Sequence, residues 1–507
     1  MIQETRGPLP DRPDAGGVGA ETGGVQLPRL GTRQFLFLGD HDLRAKLTRV
    51  TDMVRKIIGT LQWRDRQAVK TAGANVTALA LGYAIRLVVI PLSLNLLGAE
   101  QYGLWLAVGS LIAWGGVADL GLAPGLVNLV ASACGREDRL SARRYISTAL
   151  GAYAVLAGVL FFGFILLSRW QALPSLLGIR APELAAPARQ LVALCGALFA
   201  LSSLTRVIPT ACTALQEGYY AAWTYLTGSL ASLVVLVPLT WTGASLITYA
   251  LVMGLPPLLA QIGLGAYFFG KRHHDLRPRA GDWNLSSLRE LWGVGGWLTL
   301  HQAANLAVLY SANLIIANRL GPAAVTQYSV PYAVFAVLIS VAYHTVSPYL
   351  PAYADALARG DVAWIRRRTR QTLALTVMVL GGGGALLVIA GQEGIRLWSA
   401  GHVTPTFGLL IGLACFSLLK ACSNTTSVLL VGLGLVRFAA CVYSSVALIY
   451  VTTAWLSVPW LGLLGLPVAG ALAHALDVGL SLPYAFKQLR VKIRSGFMVA
   501  EACRSVT

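Results

Sequence analysis

The chain has 507 residues, 56% hydrophobic and only 12% charged, with 40 Lys and Arg against 22 Asp and Glu, for a net charge of +18. Soluble domains carry about 25% charged residues, so composition alone excludes an ordinary globular protein and points to a chain embedded in lipid. The positive excess needs no nucleic acid to explain it, because the basic residues gather in alternate loops, as membrane topology demands.

Residues 1–42 are rich in Gly and Pro with mixed charge and too few apolar groups to pack, which predicts a disordered cytosolic tail. The first apolar run, Phe35 to Leu38, is too short for the core of a signal peptide. Over 43–73, Leu43, Leu47, Val50, Val54, Ile57 and Leu61 fall on one helical face, with Arg44, Lys46, Arg49, Arg55 and Lys56 elsewhere. This basic amphipathic segment fits the anionic inner leaflet, a solvated flank or a partner protein.

A bilayer core of about 30 Å needs roughly 20 apolar residues per helix. Twelve such spans follow, at 74–97, 104–129, 147–168, 190–213, 219–241, 244–268, 288–312, 328–350, 372–396, 405–430, 437–457 and 463–485. They form an amino-terminal lobe (74–268), a loop (269–287), a carboxy-terminal lobe (288–485) and a cytosolic tail (486–507). With the amino terminus inside, the inner segments hold 33 Lys and Arg and the outer loops 5, so both termini are expected in the cytosol of a plasma (inner) membrane protein. The sequence Leu97-Gly98-Ala99-Glu100-Gln101-Tyr102-Gly103 after the first span echoes Leu320-Gly321-Pro322 and Gln327-Tyr328-Ser329 after the seventh, 223 residues on. Six spans per half leave both halves in one orientation, so the expected fold is all-α, two six-helix lobes related by a parallel repeat.

Charges inside a bilayer are costly and therefore candidates for function. Arg86 falls near the midplane, and Asp119, Arg206, Lys420 and Asp477 in the cytoplasmic half. Asn75, Tyr83, Arg86 and Ser93 share one face of the first span, and Pro91 can free a backbone carbonyl there. Arg86 suits either an anionic ligand or a structural partner such as Asp119. In the seventh span Trp297, His301 and Asn305 repeat every four residues. Lys420 and Asp477 could neutralise each other, or Asp477 and His474 could exchange a proton with a coupling ion. Gly381 to Gly384 reads as a close-packing segment. The seven cysteines form no CxxC pair, so neither a disulfide framework nor a metal site is expected. HExxH, GxSxG and Walker motifs are absent and the longest external loop, 169–189, is too short for a catalytic domain, which argues against an enzyme and against a cofactor.

The chain resembles the polysaccharide flippases, the O-antigen and exopolysaccharide lipid-carrier transporters of the multidrug, oligosaccharidyl-lipid and polysaccharide exporter superfamily. The resemblance rests on Leu97 to Trp105, Asp119-Leu120-Gly121-Leu122, Gly321 to Tyr328, and Pro351-Ala352-Tyr353 with Gly360-Asp361, in an order that covers about residues 74–490. Nine residues after the Asp of the second motif, where the family carries Arg, this chain has Asn128. The resemblance implies a two-lobed bundle that alternates between inward and outward openings and moves an undecaprenyl-diphosphate-linked oligosaccharide to the outer leaflet, in the company of glycosyltransferases and a polymerase. Arg86, Tyr83, Asn75, Arg206, Lys420, His301 and Asn305 are the candidate substrate contacts, and Asp119, Asp477 and His474 the candidate coupling groups. A multidrug exporter of the same fold would line its cleft with carboxylates instead.

Overall fold

The structure, a computed structural model, describes residues 63–504 apart from 120, 294 and 295. The tail 1–42 and residues 43–62 of the amphipathic segment lie outside the described residues. Ten helical stretches among the described residues are long and apolar enough to cross a membrane. Two of them turn back on themselves at a glycine. In α1 (Trp63–Ala113), Gly98 adopts φ 70° and ψ 173°, a conformation that costs a side-chain-bearing residue dearly. At the other, Gly462 separates α15 (Val436–Leu461) from α16 (Gly465–Arg504). With those reversals the crossings number twelve, and the chain is a multi-pass membrane protein.

Between them run α2 (Leu122–Gly135), α3 (Arg139–Arg169), α4 (Leu173–Leu176), α5 (Pro182–Thr205), α6 (Val207–Ala214), α7 (Tyr219–Thr242), α8 (Leu246–Tyr267) and α9 (Leu285–Gly293). The second half holds α10 (Gly296–Leu320), α11 (Pro322–Val346), α12 (Tyr349–Ala358), α13 (Val362–Trp398) and α14 (Phe407–Gly432), followed by α15 and α16.

The internal repeat is written in the backbone. Gly98 and Gly321, 223 residues apart, share a positive φ and an extended ψ (173° and 168°). The same offset relates Glu137 to Gly360 and Gly178 to Gly401, all at positive φ. It also relates Asp138 to Asp361, each capping a helix through the amide three residues on. Further along, the offset drops to 218 between Gln216 and Gly434, so one short length difference separates the halves.

Three expected spans break. The span placed at 104–129 ends as α-helix at Ala113, tightens into a 3-10 turn over Trp114–Asp119, and restarts as α2 after Gly121, at φ 84°. The break follows from Gly115 and Gly116, poor helix formers, and from Phe199, whose ring lies 2.9 Å from where a Cβ on Gly115 would sit. The span at 190–213 divides at Arg206, because Pro209 has no amide to give the carbonyl of Thr205. The span at 328–350 starts earlier, with Pro322 in the first turn of α11, and stops at Val346 before Pro348. Helix α16 runs on to Arg504, through the segment read as a tail.

Because successive spans alternate in direction, the segments 136–138, 215–218, 268–293, 347–361 and 433–435 share one face, hereafter the basic face. Its buried apolar clusters belong to single lobes: Leu126, Ile146, Tyr153 and Val207 in the first half, Val346, Ile365, Leu429 and Leu489 in the second. The largest cluster instead joins both lobes, combining Leu94, Leu104 and Val108 with Ile316, Val325 and Tyr328. Hydrogen bonds follow the same division. Thr326 Oγ1 donates to the Ala99 carbonyl at 2.6 Å, Asn313 Nδ2 to Ser110 Oγ at 2.9 Å, and Asn318 Nδ2 to the Ser175 carbonyl at 3.1 Å. Gly103 sits so close to α11 that a Cβ would lie 1.8 Å from the Pro322 carbonyl oxygen. The lobes are thus sealed together at the face opposite the basic one.

The segment joining the lobes is packed on the first of them. Phe268, Phe269, Leu276 and Leu291 bury into the amino-terminal cluster. Arg143 Nε meets Asp282 at 2.7 Å, and Arg272 and His273 both reach Glu217, at 2.9 and 3.0 Å.

Candidate functional site

Where the lobes part, a cavity of about 570 Å³ runs from Arg86 and Lys420 towards Leu350 and Val431, near the basic ends of α12 and α14. Tyr83, Arg86, His301, Asn305 and Lys420, chosen from the sequence on three different spans, line this one space. Its walls carry Arg86 and Lys420 and no Asp or Glu. Arg86 is exposed into it and makes no hydrogen bond or ion pair among the described residues, so its five N–H donors are free for a ligand. Tyr83 donates across the lobes to Ser340.

Lys420 is 6% exposed, and its Nζ lies 3.4 Å from the Tyr443 hydroxyl, a long contact that leaves the ammonium short of partners. The Tyr443 hydroxyl in turn faces Asn305 Oδ1 at 3.3 Å, while its ring lies 4.7 Å from that of His301. His301 Nε2 reaches Ser427 at 3.4 Å and its Nδ1 is buried without a partner among the described residues. Tyr443 is therefore the hub of the polar wall, and sequence reasoning missed it. A signal existed: Tyr443 and Tyr450 stand seven residues apart, on one face of α15.

Other predicted groups fall elsewhere. Asn75 is exposed and borders neither this cavity nor its neighbours. Ser93 is wholly buried and bonded to Tyr249 and the Val89 carbonyl. Trp297 stacks under Arg437, at 5.8 Å. The Arg86–Asp119 pair considered from sequence is not formed, and Asp119 lies within the break in the second span. Asp119 instead accepts from the Tyr153 hydroxyl at 2.7 Å and pairs with Arg206 at 3.7 Å. Asp119 and Arg206 line an adjoining cavity of about 430 Å³, which shares Gln302 with the first.

Asp477 does not pair with Lys420. Ser423 and Ser481 donate to its two oxygens, the latter at 2.7 Å, and it is 5% exposed. Those serines were legible too, three residues from Lys420 and four from Asp477. His474 is fully buried, with neither ring nitrogen partnered among the described residues, and lies between Phe416 and Tyr443 at 5.8 and 6.0 Å.

The family described as "Polysaccharide biosynthesis protein" matches residues 68–355, more than half of the chain. The uncharacterized membrane protein EpsK of Bacillus subtilis (strain 168) is 24% identical over 346 residues, 64% of this chain and 64% of that protein, so the chain spans just under two thirds of this curated relative. Among solved structures, an inward-facing conformation of a multidrug resistance MATE family transporter of the MOP superfamily superposes with a TM-score of 0.68 at 15% identity, covering 84% of this chain and 99% of that one. An outward-facing conformation of such a transporter gives 0.62 at 14% identity over 85% and 96%. At these identities the likeness establishes the fold.

Proposed function

The chain belongs to the polysaccharide biosynthesis protein family, and on that premise we propose that it is a transporter that moves a polyprenyl-diphosphate-linked oligosaccharide from the inner to the outer leaflet by alternating access. The observation that carries this reading is the charge of the central cavity: Arg86 and Lys420 stand in its wall and no Asp or Glu lines it, the nearby Asp477 being held by Ser423 and Ser481 instead. Arg86 has no ion-pair partner among the described residues, and a diphosphate supplies an anion for it. Arg86 offers a bidentate fork to the diphosphate, and Tyr443, Asn305 and His301 present hydroxyl, amide and imidazole groups suited to sugar hydroxyls. On this reading the basic face is the cytosolic one, in agreement with the 33 to 5 distribution of Lys and Arg, and both termini lie in the cytosol of a plasma membrane. The cavity lining extends to Leu350 and Val431, beside that face, which fits a conformation ready to load from it. Asp119, Asp477 and His474 are the candidates for ion coupling, and glycosyltransferases and a polymerase the natural functional partners.

A small-molecule exporter is the competing reading of the same fold. A cationic drug would find Arg86 and Lys420 repulsive, and Asp119 and Asp477 already occupied by Arg206, Tyr153 and two serines. Reconstitution into liposomes with a fluorescent undecaprenyl-diphosphate-linked disaccharide and, separately, a lipophilic cationic dye decides between them. Movement of the disaccharide lipid across the bilayer supports the proposal; movement of the dye alone rejects it.

A further inference from the structure

A second cavity, of about 440 Å³, runs beside the polar one along α1 inside the amino-terminal lobe, and the two meet at Tyr83 and Arg86. Its character is different. Ala78, Ile85, Val89, Trp105, Met253 and Pro257 form much of its wall, with Arg86, Ser229, Ser232 and four tyrosines as its more polar side chains. The α7 side of the wall is lightly built. Helices α1 and α7 pack there through Ala74, Ala78, Ala222 and Leu226, and Gly82 faces the Tyr225 ring with no side chain of its own. Tyr225 lines the cavity and is nevertheless 61% exposed, on a stretch of α7 that also exposes Trp223 and Val234. The groove therefore reaches the apolar outer surface of the helix bundle.

We infer that this groove seats the first isoprene units of the substrate's polyprenyl chain, an inference that rests on the transport reading above. Arg86 stands at the junction of a polar and an apolar compartment, as a diphosphate stands between a glycan and an isoprenoid. With the diphosphate on Arg86 and the glycan towards Tyr443 and Lys420, the chain needs a dry exit from the junction. Left in the polar cavity it would forfeit the favourable transfer of each methylene out of water. The groove supplies that exit and delivers the chain to the bilayer between α1 and α7, so that the tail stays in apolar surroundings while the head group enters the cleft. An acyl chain of a bilayer lipid is the other occupant with the same apolar chemistry, and the diphosphate distinguishes the two.

The test measures binding of dimethylallyl diphosphate and geranylgeranyl diphosphate to the purified full-length protein, in wild type and in two groove-filling variants, Gly82→Leu and Met253→Trp. Neither residue borders the polar cavity. Wild type should bind the longer diphosphate at least about tenfold more tightly. Each variant should lose that preference while holding the shorter ligand within about twofold of wild type, which also certifies that the variant is folded. A diazirine-bearing geranylgeranyl diphosphate should label α1 and α7 peptides, and unlabelled geranylgeranyl diphosphate, but not phosphatidylglycerol, should compete the label away. A chain-length preference that survives in both variants overturns the groove assignment and leaves the transport reading standing. Competition by phosphatidylglycerol assigns the groove to bilayer lipid and overturns it too. Failure of wild type to bind either diphosphate overturns the transport reading together with this inference.

Discussion

The indole Nε1 of Trp398, at the end of α13, donates to the carbonyl of Leu87 in α1 at 2.9 Å, across the junction of the lobes. That carbonyl is available because Pro91, four residues on, has no N–H to return to it. One proline thus creates an acceptor next to Arg86, and the opposite lobe uses it.

Removing this bond should loosen the closed face. Trp398→Phe keeps most of the ring and removes the donor, at a cost of about 1 kcal/mol in favour of the state in which the lobes part there. Spin labels at Ala172 and Gly408, both exposed at that face, read the outcome as a distance distribution. The variant should gain a longer-distance population relative to wild type. An unchanged distribution means the bond is incidental to closure.

Asp119 should matter to stability chiefly through Tyr153. Its contact with Arg206 is 3.7 Å long with the Arg206 side chain 40% exposed, a geometry that contributes little. Its bond from the buried Tyr153 hydroxyl is 2.7 Å and made to a charge, worth roughly 1.5 to 3 kcal/mol. Thermal unfolding in detergent should therefore show Asp119→Ala and Tyr153→Phe strongly non-additive, with Arg206→Ala milder than either. Additive effects of the first two would remove this bond from the account of how the broken second span is held.

Glu217 links stability to pH at the basic face. Burial by itself raises its pKa, but hydrogen bonds and charge from Arg272 and His273 outweigh burial, and the carboxyl ends below its ordinary value of 4.5. A carboxylate depressed on folding contributes stability that is full above the unfolded pKa and is lost as pH falls through the folded one. The midpoint of unfolding should thus decline as pH drops below about 4.5, and Glu217→Gln should decline less steeply while starting lower at neutral pH. Parallel profiles for the two proteins would mean that other carboxylates govern the acid limb.

The fold was more legible than the site, for physical reasons. Span number and the repeat rest on hydropathy and the glycine turn at Gly98, signals that the bilayer and the backbone enforce locally. Helical periodicity selected Tyr83 with Arg86 and His301 with Asn305, and these do converge. Which face meets which is a tertiary fact. Asn75 lies one face-repeat from Tyr83 yet sits outside the cavities, and Asp119 could be assigned to Arg86 only while the second span was taken as unbroken. The hub role of Tyr443 needed α10, α14 and α15 to be brought together, which spacing within one helix does not encode.

Arg86 gives the sharpest test, since the structure removes the structural explanation that rivalled ligand binding. No carboxylate among the described residues pairs with it, so Arg86→Ala leaves no buried partner unsatisfied and should fold to normal abundance. Its loss should nonetheless abolish transport of the diphosphate-linked substrate, because two parallel charge-assisted bonds disappear from the cavity. Lysine keeps the charge and gives up the planar fork, so Arg86→Lys should retain part of the activity. Arg86→Glu sets a like charge against the diphosphate and should be the most damaging, while a Lys420→Met variant, which removes a second cation from the same wall, should weaken binding further when combined with Arg86→Lys. Transport per unit of folded protein in liposomes, with abundance followed in parallel, separates these effects. If Arg86→Ala transports normally, the guanidinium is not the phosphate ligand; if abundance collapses with activity, its role is in folding.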